Sequence, residues 1–135
     1  MFFRSKARLP TVRYFVRMPI RRLSIVAFPE SRLVSTARCL EHDLMASGRT
    51  TEGAVDALLK MVRAHIDYDR RHARLPLSSF VPAPRLYWDA FRQGSRRWQF
   101  DMVADPQDTL GATKVDVTLV PQHPAIRPAL SVRIA

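Results

Sequence analysis

Cysteine is almost missing from this sequence, with Cys39 alone among 135 residues. A disulfide framework or a Cys-based zinc site needs several sulfurs, so both are excluded. Glycine is scarce too, at four residues. None of the four falls in a GxGxxG or P-loop spacing, which excludes a phosphate-cradling glycine loop. No run of about 18 apolar residues occurs, so no membrane-spanning helix is expected. No apolar stretch of adequate length precedes a small-residue cleavage site either, and a cytoplasmic location is the expectation. What the chain does have is basic charge: 22 Lys and Arg against 12 Asp and Glu, a net charge of +10, with an ordinary 47% apolar content. That combination describes one small basic domain, with room for an appendage.

The charge is concentrated in two blocks. Residues 1–22 carry seven basic residues and no acid, and residues 71–100 carry six basic residues against Asp89. The remaining segments, 23–70 and 101–135, are each acidic by one charge. The first block, MFFRSKARLPTVRYFVR at 1–17, has three readings. It is a basic arm for nucleic acid or anionic lipid, an Arg-rich and acid-free targeting segment, or a stretch outside the working domain. Under the last reading Met18 is a second start, and the net charge falls from +10 to +5.

Hydrophobic patterning then sets the elements. Leu23–Phe28 is a short apolar run closed by Pro29 and reads as a strand. Arg32–Glu41 resumes extended character, and His42–Ser47 is a short third strand closed by Gly48. Thr50 is a suitable N-cap, with Glu52 in the first turn. Ala54, Leu58, Met61, Val62 and His65 follow at helical spacing, widened by Val55, Leu59 and Ile66. The helix is expected over Thr51–Arg71. Pro76, Pro82 and Pro84 then break regular structure. A second helix is expected over Pro84–Gln93, ended by Gly94, with Leu86, Tyr87, Ala90 and Phe91 as its apolar side. Beyond it, Trp98–Met102, Lys114–Val120 and the alternation at Leu130, Val132 and Ile134 read as strands. The expected fold class is α+β, a small antiparallel sheet covered by one long helix, plus the short helix and C-terminal strands. The chain divides into a basic extension (1–17), a core (18–71), and a Pro-rich linker with a β-rich remainder (72–135).

Candidate chemistry is sparse. Glu41-His42-Asp43 offers two carboxylates that a strand would place on one face for a divalent cation. Three consecutive polar residues between strands more commonly make a solvated turn. His65 and Asp69 stand four apart on the helix, a spacing for a shared metal or a His–carboxylate hydrogen bond. The second His of HExxH is missing, which favours a packed histidine. Cys39 is either a nucleophile beside His42 or His65 or a small buried hydrophobe. Ser78-Ser79 lacks a nucleophile elbow. Tyr87 and Trp88 suit base stacking, with Arg85 and Arg92 for phosphates. Alternatively Tyr87 and Phe91 dock the helix on the sheet and leave Trp88 half exposed. No enzyme signature emerges, so no catalytic residue, cofactor or metal is expected.

Three strings within Leu23–Ile66 carry a family likeness: IVAFPE (25–30), CLEHDLMASGRT (39–50) and EGAVDAL (52–58). In this order and spacing they resemble the HicB-like family, named for the antitoxin half of bacterial HicA–HicB toxin–antitoxin pairs. The resemblance implies a β-β-β-α-β domain with a partial RNase H-like or double-stranded-RNA-binding-like arrangement. It implies a non-enzymatic module that neutralises a small RNA-cleaving toxin by covering it. Many members also carry a helix-turn-helix or ribbon-helix-helix; residues 72–135 offer neither.

Two functions follow as expectations. One is a binding module for a small basic protein such as a HicA-like toxin, met by acids of 30–69 through charge complementarity, Glu41, Asp43, Glu52 and Asp56 among them. The other is a nucleic-acid-binding protein using Arg85, Arg92, Arg96 and Arg97. A metal-dependent nuclease built on Glu41, Asp43 and His65 or Asp69 is the third and least supported reading. A strand such as Lys114–Val120, left at a sheet edge, would also invite homo-oligomerisation.

Overall fold

The computed structural model describes residues 20–106 and 112–126. The basic stretch 1–17 and the expected strand at Leu130, Val132 and Ile134 lie outside the described residues. The elements run β1 (Arg22–Pro29), β2 (Ser35–Cys39), β3 (Leu44–Gly48), α1 (Thr51–Arg71), α2 (Arg85–Gln93), β4 (Arg96–Met102) and β5 (Thr113–Leu119). The α+β class holds: five strands form one sheet, and a long helix packs on it.

The sheet is mixed rather than antiparallel, in the order β3-β2-β1-β5-β4. β1 pairs antiparallel with β2 and parallel with β5, Leu23 lying opposite Val115 and Ile25 opposite Val117. A parallel neighbour requires a long crossover, and residues 30–112 supply it. Consequently Lys114–Val120 is not an edge. Its strand lies between β1 and β4, and the edges are β3 and β4.

Alternation along β1 explains the two layers of the core. Leu23, Ile25 and Ala27 face α1 and join Ala37, Cys39, Leu58, Val62, Ile66, Val115 and Val117 in the main cluster. Val26 and Phe28 face the other way, toward Leu40, Ala83, Tyr87 and Phe91 of a second cluster. Burial on both faces is why Leu23–Phe28 reads as a continuous apolar run rather than an alternating one. Leu77, Met102, Val115 and Val117 pack in the same main cluster as the residues of β1 and α1, so the two halves of the chain share a core.

α1 starts as its sequence dictates. The Thr50 hydroxyl accepts from the Gly53 amide at 2.9 Å, satisfying one of the helix's orphan donors. Its end is a Schellman arrangement: Arg74 N–H donates to the Asp69 carbonyl (2.8 Å) and Ala73 N–H to that of Arg70 (3.2 Å). The left-handed position that glycine usually fills is here Ala73, at φ 56°. Residues 72–83 then cross the end of the sheet, where Ala83 N–H donates to the Leu40 carbonyl at 2.8 Å. That crossing delivers α2 to the opposite face. Tyr87 and Phe91, four apart, are buried there, and Trp88 is half-buried. Leu86 is one residue off this stripe, about 100° round the helix, and remains exposed instead of joining the apolar side.

Candidate partner-binding site

The fold separates the four candidate acids into two pairs at opposite ends of the sheet. Glu41 and Asp43 lie in the β2–β3 turn, while Glu52 and Asp56 open α1 beyond Gly48, at the far end of β3. Five-residue strands make that separation roughly 17 Å.

The turn pair is occupied by the fold itself. A Glu41 carboxylate oxygen accepts the Ser24 backbone N–H at 2.7 Å, while the Leu40 N–H donates to the Ser24 carbonyl at 2.8 Å. Together they tie the turn to the side of β1 below its pairing with β2. Asp43, in the left-handed region at φ 46°, accepts from Arg38 Nε at 2.7 Å. That bond raises the Arg38 guanidinium above its ordinary value against its partial burial. The same guanidinium lies over the Tyr87 ring at 4.1 Å, locking α2 to the turn. Asp43, Arg38 and Tyr87 therefore form one linked brace. His42 has its imidazole pushed below the usual histidine range by burial, with the Glu41 charge opposing. The segment 40–43 is a turn, so strand alternation does not apply to the Glu41-His42-Asp43 trio.

The other sequence candidates are similarly engaged. Asp69, 4% exposed, accepts the Leu77 N–H at 2.7 Å, whereas His65 packs edge-on against Phe80 with ring centroids 4.9 Å apart. Each member of this i, i+4 pair has its own structural partner. Cys39 is buried in the main cluster, and its thiol is pushed up to about 12 by burial, reinforced by the Glu41 charge. A thiol so placed is a poor nucleophile. Among the described residues, no group of three or more His, Cys, Asp or Glu is arranged to hold a metal ion.

The opposite end of the sheet is more open. There a cleft of about 1130 Å³ lies among the start of α1, the α2 face and the 119–126 segment. Leu86 and Ile126, 40% and 53% exposed, and half-buried Trp98 supply its apolar lining, with Glu52, Asp89 and Arg96 as its charged groups. Asp89 also accepts from Arg92 at 2.7 Å and lies 3.9 Å from Arg85. The cleft thus gathers Glu52 and Arg96 directly, and Arg85 and Arg92 through Asp89. Asp56 is one turn further along α1, paired with Lys60 at 3.2 Å. Arg97 is turned to the other face of β4, where it donates to the Phe91 carbonyl at 3.1 Å and covers that ring at 5.1 Å.

His123 was not singled out by sequence. Its ring meets Phe28 edge-on at 4.8 Å, its Nδ1 accepts from Ala125 N–H at 3.0 Å, and its Nε2 stands 3.8 Å from Glu30. The prolines on either side, Pro121 and Pro124, were the only hint of a shaped turn at this position. A groove of this size, apolar within and charged at its margin, suits a partner chain that buries Leu86 and Ile126 and pairs at the rim.

No protein-family model, curated protein or solved structure matches the chain.

No helix among the described residues is long and apolar enough to cross a membrane.

Proposed function

We propose that this protein is a non-enzymatic HicB-like binding module, and that its partner is a small basic protein of the RNA-cleaving toxin type. The observation that carries this reading is the framework role of the very residues on which the resemblance rests. The IVAFPE string is the central strand β1. In CLEHDLMASGRT, Cys39 fills the main cluster, Leu40 the second, and Glu41 holds the Ser24 amide. Gly48 of the same string touches the start of α1 so closely that a Cβ would lie 2.6 Å from the Ala54 nitrogen. The EGAVDAL string is the first half of α1, with Ala54, Val55 and Leu58 buried. The likeness is thus supported by residues whose spacing a β-β-β-α layer requires.

We assign the partner to the cleft at the Gly48 end, where exposed Leu86 and Ile126 give apolar contact and Glu52 gives acidic contact to a basic surface, Asp89 being already shared by Arg85 and Arg92. The test is co-purification of the full chain with the product of the adjacent reading frame. A stable complex that Leu86→Asp weakens is the expected result. Absence of a complex with either neighbouring product overturns the antitoxin reading.

The Arg-rich segment supports a nucleic-acid-binding alternative, because Arg85 and Arg92 share a single acid and keep 90% and 60% of their side chains exposed. Retention on nucleic acid that falls steeply with salt, and is lost when Arg85, Arg92, Arg96 and Arg97 become Ala, would decide for it.

A further inference from the structure

The sheet ends in β4, whose outer side has no strand partner among the described residues. This strand is seven residues long, and Arg96, Arg97, Gln99, Phe100 and Asp101 are all exposed on it. The other edge, β3, is shorter and is packed beneath α1. Proteins commonly guard such an edge with charges that keep other strands away. In β4 the charges have a different arrangement, because its central five residues, RWQFD (97–101), are complementary to themselves about their midpoint, Gln99.

An antiparallel pairing of β4 with a second β4, centred on Gln99, sets Arg97 opposite Asp101 and Trp98 opposite Phe100. Both pairs occur twice by symmetry. The β4–β5 register fixes the faces: Phe100 lies beside Val115 and Trp98 beside Val117, so the aromatics share the α1 face of the sheet. Arg97, Gln99 and Asp101 share the other. Opposite charges and aromatic pairs directly across an antiparallel ladder each stabilise it, whereas like charges there oppose it. Phe100, 37% exposed, and half-buried Trp98 would each lose part of their contact with water in the same step.

We propose that two copies of this chain join edge to edge through β4, in an isologous pairing centred on Gln99 that makes one continuous ten-stranded sheet. The contact is self-complementary, as a two-fold interface requires. It does not depend on the HicB-like reading, which concerns the cleft and its partner.

The decisive experiment is a charge reversal and its rescue in the full chain, read by concentration-dependent light scattering. Asp101→Arg puts arginine opposite arginine at both symmetric sites. It should weaken dimerisation by at least about tenfold, equivalent to about 1.4 kcal/mol. The double variant Arg97→Asp with Asp101→Arg restores opposite charges in mirror order and should recover the dimer, which a misfolded edge would not do. Gln99→Cys supplies the register. Paired antiparallel residues lie about 4.5–5.5 Å apart at Cα, within disulfide reach, so air oxidation should crosslink this variant to a dimer. Arg97→Cys alone should remain uncrosslinked. A parent chain that stays monomeric overturns the proposal. So does a dimer that Asp101→Arg leaves unchanged.

Discussion

Replacing Asp69 with Ala tests how the chain is held as it crosses from one face of the sheet to the other. Leu77 adopts φ 61°, a left-handed conformation that costs a leucine about 1–2 kcal/mol. Two contributions oppose that cost. The Leu77 side chain is 1% exposed, worth about 1.5–3 kcal/mol of burial. Its N–H donates to the buried Asp69 carboxylate at 2.7 Å, and a hydrogen bond to a charged group contributes about 1.5–3 kcal/mol. Without the carboxylate, burial barely exceeds the backbone cost, and the Leu77 amide is left without its acceptor. Asp69→Ala should therefore cost about 2–3 kcal/mol, whereas Asp69→Asn, which keeps an oxygen acceptor, should cost about half as much. Urea unfolding followed by circular dichroism measures this as a midpoint lowered by roughly 1–2 M at unchanged m. The coupling is tested in a Leu77→Gly background, where glycine tolerates the backbone and the penalty of Asp69→Ala should shrink. A loss under about 0.5 kcal/mol for Asp69→Ala would refute the reasoning.

Four further outcomes are expected. Gly48→Ala should lower the melting temperature by at least about 4 °C, since its Cβ would meet backbone atoms at 2.6 and 2.8 Å; an unchanged melt would mean that β3 yields freely. Ala73→Gly should stabilise the chain by up to about 1 kcal/mol by relieving a left-handed alanine, and a lower urea midpoint would contradict that account. Cys39, with its thiol raised to about 12, should resist thiol reagents at mildly alkaline pH until denaturant is added; labelling of the native chain at a free-thiol rate would show that it is accessible. For His42 the folded value lies below the unfolded one of about 6.5, so the unfolded chain binds more protons between the two. Stability from this group is fully present above about pH 6.5 and lost as pH falls toward the folded value. His42→Gln should flatten that slope, and an unaltered pH profile would place its origin elsewhere.

Local signals in the sequence were reliable where local physics decides. α1 spans Thr51–Arg71 with Thr50 as cap, as its apolar stripe and first turn require. Tyr87 and Phe91 dock α2 while Trp88 stays half-buried, the plainer of the two readings of that helix. Non-local pairing was not legible. The alternation of Val115, Val117 and Leu119 with Asp116 and Thr118 reads as a strand wet on one face. In the fold Asp116 and Thr118 are both buried, because Thr118 lies beneath Gly94, where α2 ends, and Asp116 pairs with Arg22 at 3.2 Å. The structural engagement of two candidate acids was hidden for a related reason. Glu41 and Asp43 are charged and stand in a turn, but their partners, Ser24 and Arg38, are supplied by neighbouring strands. The cleft drew on Leu86, Ile126 and α1's first turn, residues whose proximity only the tertiary structure creates.

The parallel pairing of β1 with β5 also has a consequence for the order of assembly. β1, β2, β3 and α1 can gather as soon as residue 71 has been synthesised, with every contact between near neighbours in sequence. The free side of β1 then waits for Thr113–Leu119, more than 80 residues after β1 itself. At a synthesis rate of about 5–20 residues per second, the remaining stretch from α1 to β5 takes a few seconds to emerge. Throughout that interval the most apolar strand of the sheet is a nascent edge, open to any other extended chain. Ribosome-bound chains stalled between α1 and β5 should therefore be the species that chaperones hold and that aggregates recruit.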